Sequence, residues 1–301
     1  FFSFYIMCVP LRAAALAACL AVGSALVVPL SASRPADSLQ GVRLPRAGSG
    51  GHVDLGEALA SSAGKTLLVL GTYPADFNMV EYMQRVRVFL PDLRAKGVTR
   101  CMMVVNGPPA ACEKLASLLD LPDAVELYAD PAGEAGRRFG VSRGFRPDDS
   151  SLSAFAKLFV MGIVGGPGAW ATLPAVLVGY FGSPGGKRRW IEESLKQGQL
   201  AGRWPDSVLQ LADEEVVANA FDDTPLVSAW GVRPFELATL RLQNLVSLQA
   251  KHWGALKPAD ERCLTQLGGC TVVGSGGECL YSWVDRGLCD VADFESMLES
   301  L

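Results

Sequence analysis

The sequence predicts a mixed α/β protein: strands alternating with helices, closed by a C-terminal hairpin and helix, with a long helical insertion between the two parts. Three observations predict it. Thr66-Leu67-Leu68-Val69-Leu70 is a continuous apolar run of the kind that fills a strand buried on both faces. Two more such runs, Thr99–Asn106 and Val125–Tyr128, follow with helical periodicity between them, which implies right-handed βαβ units and a layered sandwich. Near the end, Gly268–Val273 and Glu278–Val284 flank Gly274-Ser275-Gly276-Gly277, a strong hairpin signal.

The chain in order supports each element. Phe1–Ile6 precede the first methionine, Met7, and after Arg12 comes the charge-free run Ala13–Leu30. Ser31-Ala32-Ser33 then fits a cleavage site, and Arg34–Gly51 carries three arginines against one acid. Residues 1–51 are therefore expected to form a two-part plastid presequence. The rivals are a secretory signal or one membrane anchor, since eighteen largely apolar residues are just long enough to span.

After the first strand, Gly71–Asp76 carries turn chemistry. Met79, Met83, Val86, Leu90 and Leu93 then step along one helix face. A second strand ends at Gly107-Pro108-Pro109 and feeds a helix over Ala110–Leu119. A short helix over Gly133–Phe139 stops at Gly140. Residues 52–141 thus make the first half of the domain, and 263–301, with a last helix over Ala292–Leu298, its closing part. That hairpin is expected at the sheet edge beside Val125–Tyr128.

Residues 142–262 form the insertion, which holds five of the six tryptophans. Leu158–Gly186 contains no charged side chain and is followed by Lys187-Arg188-Arg189, so contact with a membrane or membrane complex is expected there. Gly165-Gly166-Pro167-Gly168 and Pro174 break the stretch, which leaves open a spanning helix, a surface hairpin or packing on the protein's own body. Leu237, Leu240, Leu245 and Leu248 mark one further amphipathic helix.

Composition excludes several functions. A net charge of −4 with no basic patch argues against nucleic-acid binding. Only His52 and His252 are present, and the eight cysteines include no C-x-x-C pair. No metal or cofactor site is therefore expected. Cys101 and Cys112 fall in a strand and a helix as small buried hydrophobes.

With both halves in view, the chain resembles the thioredoxin-fold superfamily, and within it the peroxiredoxin-like, AhpC/TSA-type branch. Tyr73-Pro74-Ala75-Asp76-Phe77-Asn78-Met79-Val80-Glu81 lies along the peroxiredoxin loop pattern, with Pro74 matching its proline. Asn78 stands at the threonine position and Glu81 at the peroxidatic cysteine. Asp130–Glu134 through Phe139-Gly140-Val141 resembles the family's acidic turn and short helix. The terminal hairpin resembles its closing unit, and the whole is similar to a plastid group of thioredoxin-like proteins. The resemblance implies a redox or antioxidant role and a thiol redox partner.

The same residues put the usual peroxidase activity in doubt. Peroxide reduction needs a thiolate that cycles through sulfenic acid, which a carboxylate cannot do. Glu81 reads either as an acid placed favourably at a helix amino terminus or as a general acid or base. No arginine before Cys270 matches the family's assisting arginine, and Leu267-Gly268-Gly269 replaces the proline that precedes the closing hairpin in thioredoxins. If Gly274–Gly277 makes the turn, Cys279 faces Val272 and Cys270 lies diagonally on the same face. Cys270 and Cys279 are then the candidate catalytic dithiol, with structural thiols as the rival. A non-catalytic scaffold docked through the apolar insertion is the competing function.

Overall fold

The structure is a computed structural model that describes residues 34–163, 166, 168–182, 189–204, 208–222 and 233–301. Phe1–Ser33, with the expected leader and cleavage site, lie outside the described residues. Arg34–Gly51 is part of the fold, which corrects the expectation of an extension there. Helix α1 (Pro35–Ser38), strand β1 (Arg43–Pro45) and the turn between them bury Ala36, Leu39, Val42 and Leu44 in the core. Strand β2 (His52–Asp54) pairs with β1, and Asp54 caps helix α2 (Leu55–Ala60) by accepting from the Glu57 amide.

The central sheet contains β3 (Lys65–Leu70), β4 (Val98–Val105), β5 (Val125–Ala129), β8 (Gly269–Val273) and β9 (Cys279–Val284) in the order β5-β4-β3-β8-β9. The first three are parallel, and the terminal hairpin adds antiparallel to β3. The hairpin therefore joins the far edge and not the edge beside β5. That edge is taken by Arg46, bridged to Tyr128, and by Ala47, whose amide donates to the Leu127 carbonyl.

Strand alternation sends side chains to two cores. Leu67, Val69, Cys101, Met103, Cys270 and Val272 face α3 (Phe77–Ala95), α4 (Pro109–Leu118) and α11 (Phe294–Ser300). Leu68, Leu70, Met102, Val104 and Val273 face α1, α2 and α5 (Glu134–Phe139), which ends at Gly140 with φ 103°. All five expected apolar positions of α3 are buried, as are Cys101 and Cys112.

The insertion comprises α6 (Ala154–Ile163), α7 (Thr172–Phe181), α8 (Arg189–Leu200), a hairpin of β6 (Leu209–Ala212) and β7 (Glu215–Asn219), α9 (Glu236–Asn244) and α10 (Trp253–Leu256). Trp190, Leu195, Trp204, Leu209, Leu240 and Leu256 lie in the first core, so the insertion shares it. The β6–β7 turn, Asp213-Glu214, has φ of 51° and 63°. Two positive φ values usually call for Asn-Gly, so the sequence carries no hairpin signal here.

No described helix is long and apolar enough to cross a membrane. α6 ends before the glycine cluster, as expected, but Pro174 does not break the chain. It sits in the first turn of α7, where a missing N–H costs nothing. Leu245 is exposed while Leu240 and Leu248 are buried, because α9 runs into a wider π turn over Leu245–Ala250 that shifts the inward face.

Candidate functional site

The loop after β3 is closed on all sides. Thr72, Tyr73, Pro74, Ala75, Asp76, Asn78 and Glu81 are buried. Pro74 lies against Gly107, where an added Cβ would come within 2.8 Å of its ring. The insertion covers the loop: the Ala75 amide donates to the Leu256 carbonyl at 3.2 Å, and the Tyr73 ring meets Trp253 edge-on at 6.3 Å.

Asp76, not Glu81, caps α3. Its Oδ1 accepts from the Asn78 amide at 2.9 Å and from the Thr72 hydroxyl at 2.8 Å. Burial pushes its pKa up to about 6 against the pull of those hydrogen bonds. Glu81 lies more than one turn into the helix, where the helix-end effect has faded. Its partners are two cations. Arg241 Nε donates to Oε1 at 2.6 Å, and Arg85 Nη2 lies 3.4 Å from Oε2. Arg241 also donates to the carbonyls of Ala175 at 3.0 Å and Cys289 at 3.2 Å, and Arg85 to that of Ala292 at 2.8 Å. One turn further on, the amides of Gln84 and Asn244 exchange hydrogen bonds at 3.3 and 3.2 Å. α3 and α9 therefore meet along a polar seam.

Asn78 ties the loop to the segment after β9. Its Nδ2 donates to Asp285 Oδ2 at 2.7 Å and to the Gly287 carbonyl at 3.1 Å, while its Oδ1 accepts from the Cys289 amide at 2.6 Å. The Tyr82 hydroxyl donates to Asp285 Oδ1 at 2.7 Å. Burial raises the Asp285 pKa to about 8, with these two donors working against the rise. Gly268, in the stretch expected to replace a proline, brings its backbone against the Leu70 carbonyl and Asp285.

Chemically, this corner is a joint. Glu81 is 1% exposed and has both oxygens engaged by guanidinium groups, which leaves neither oxygen open to a substrate. The general acid or base reading has no geometry here. A groove of about 390 Å³ lies elsewhere, lined by Phe89, Asp92, Lys96, Arg189, Glu295, Leu298 and Glu299.

The two candidate cysteines are not brought together. A register shift between Val272 and Val273 places Cys279 opposite Val273, while Cys270 pairs with Trp283. Cys279 Sγ lies 3.6 Å from the Thr271 hydroxyl, on the face opposite Cys270. This corrects the expected diagonal pair, whose geometry assumed a hairpin without a bulge. Cys270 is fully buried, and burial with the nearby Asp285 holds its thiol well above the ordinary range. Burial likewise pushes Cys289 up to about 12 and Cys101 and Cys263 up to about 11. Of the six described cysteines, Cys279 alone is exposed. Among the described residues no group of His, Cys, Asp and Glu could hold a metal ion.

Comparison with known families gives a match to the AhpC/TSA antioxidant enzymes over residues 85–287. The chain belongs to that family. AhpC/TSA proteins are peroxiredoxin- and thioredoxin-like, and the mixed sheet and flanking helices described above fit such a fold. The matched span runs from Arg85 in α3 to Gly287, insertion included, and leaves the loop Gly71–Glu81 outside it. No curated protein and no solved structure matches the chain.

Sequence reasoning missed Arg85, Arg241, Tyr82 and Asp285. Arg85 was within reach, since an acid and a base four apart on a helix pair readily. Arg241 lies 160 residues from Glu81 and carries no local signal.

Proposed function

We propose that this AhpC/TSA-family protein is a redox-related protein that does not reduce peroxide at the loop after β3. Glu81 is read as occupying the peroxidatic position, and its thiol exchange is assigned to Cys279. The observation that carries this reading is the pairing of buried Glu81 with Arg241 and Arg85. A carboxylate fixed in that way supplies no nucleophile. At Cys279 the chemistry is exchange with a partner disulfide: the thiolate attacks one sulfur, a mixed disulfide forms, and the other sulfur leaves as thiolate. A plastid location is proposed on the apolar run Ala13–Leu30 and the small residues Ser31-Ala32-Ser33 that follow it.

Peroxide consumption with a thiol donor tests the first part, and the expected rate is the uncatalysed one. Mixed-disulfide formation with oxidised glutathione, followed by mass spectrometry, tests the second. The adduct should map to Cys279 and vanish in Cys279→Ser. Peroxide turnover by the wild type, or an adduct that survives the substitution, would sink the reading.

A second reading, a non-catalytic interaction protein, is favoured by one separate observation. Phe155, Phe159, Trp170, Tyr180 and Phe181 all stand exposed on or beside α6 and α7.

A further inference from the structure

We propose that β9 is the docking edge for an extended, cysteine-bearing segment of a partner protein, which adds to the sheet as a further strand and presents its disulfide to Cys279. This rests on the assignment of thiol exchange to Cys279 made above, and names the class of substrate for it.

This edge is open where the other edge of the same sheet is closed. β9 has only β8 beside it, whereas the β5 edge is taken by Arg46 and Ala47. The Asp285 amide donates to the Gly268 carbonyl at 2.9 Å, so strand alternation turns the amides and carbonyls of Ser282 and Val284 away from β8. Among the described residues nothing bonds to those four groups. The protein complement of such a row is another extended backbone. Edges left to solvent are ordinarily guarded by lysine, proline or an inward-pointing charge. Cys279-Leu280-Tyr281-Ser282-Trp283-Val284 has none of these along about 20 Å. Its one irregularity, the bulge opposite Val273, lies at the Cys279 end and leaves Tyr281–Val284 in regular pairing with β8.

Side chains set what the segment carries. Tyr281 and Trp283, opposite Val272 and Cys270, are half-buried on one face of the sheet. They favour β-branched or aromatic residues in a strand laid beside them. Cys279 stands exposed on the other face, its Sγ 3.6 Å from the Thr271 hydroxyl. A strand along β9 brings its side chains within about 5.5 Å of their neighbours, which a small adjustment turns into disulfide distance. Attack by the Cys279 thiolate on the segment's disulfide then forms one sulfur–sulfur bond and breaks another, whose far sulfur leaves as thiolate. A second copy of this chain fits less well. Paired antiparallel about Ser282, two β9 strands set Cys279 opposite position 285, an aspartate, with no sulfur to exchange.

Reaction of the full chain with the symmetrical disulfide of a short peptide tests this. The probe alternates threonine and valine, has one threonine replaced by cysteine, and ends in lysines. Its adduct at Cys279 should form at least about tenfold faster than that of oxidised glutathione, because pairing raises the local concentration of the disulfide. The same peptide with N-methylated amides should fall back to the glutathione rate. Ser282→Pro, which deletes an outward amide and leaves the bonds to β8 in place, should slow the parent peptide and not glutathione. Hydrogen exchange of the wild-type adduct needs no variant and should show new protection at Ser282 and Val284. An N-methylated peptide as fast as its parent, or an adduct without that protection, would overturn the added strand and leave exchange at Cys279 standing. Protection of β9 that rises with protein concentration alone would assign the edge to a second copy and overturn it too. No adduct from either disulfide would remove the reading of Cys279, and this inference with it.

Discussion

At Glu81 a single side chain decides what the corner can do. A carboxylate buried with two guanidinium groups is held by their charges, and removing it strands both cations in a medium that cannot solvate them. Glu81→Ala is therefore expected to lower stability by about 3–5 kcal/mol in urea denaturation. Glu81→Leu combined with Arg241→Met should cost less than the sum of its parts, because it removes a charge of each sign. Additive losses would show that the pair is not coupled. The residues of this joint were only partly legible in sequence. Pro74, Asn78 and Glu81 stood out by their positions, but what each one touches comes from segments more than 150 positions away in the cases of Arg241 and Asp285.

Among the elements, α8 shows how the insertion is docked. Gly198 lies under the Trp204 ring, and a Cβ there would fall 1.8 Å from it. Gly198→Ala should displace Trp204 from the first core and cost about 1–3 kcal/mol, readable as a lowered thermal midpoint and altered tryptophan emission. Unchanged emission would mean that the ring does not rest on that glycine. Elements with strong apolar periodicity, β3, α3, β4 and β5, were legible to within a residue or two. The β6–β7 hairpin was not, since Asp213-Glu214 adopts positive φ without the residues that favour it. The outward Leu245 was equally hidden, because a π turn changes the period on which sequence reading depends.

For the molecule as a whole, the buried acids of the joint set a pH dependence. Asp76 and Asp285 have folded pKa values of about 6 and about 8, above the ordinary carboxylate range near 3.9. The folded state then holds protons that the unfolded chain has released, so stability falls as pH rises from about 4 to about 8. Asp76 acts in the lower part of that window and Asp285 up to its top. Asp285→Asn, which resembles the protonated acid, should flatten the fall between pH 6 and 8 in thermal unfolding. Parallel curves for variant and wild type would show that Asp285 does not titrate in that range.

By itself the sequence determined that strands and helices alternate, that two distant parts complete one sheet, and that the loop after β3 carries a carboxylate and no thiol. These follow from local periods and residue chemistry, which a linear chain displays directly. Tertiary structure alone decided that the closing hairpin joins β3, that a one-residue shift sends Cys270 and Cys279 to opposite faces, and that Arg241 reaches Glu81. Each of those depends on register and packing between segments far apart in sequence, where no local pattern records the partner.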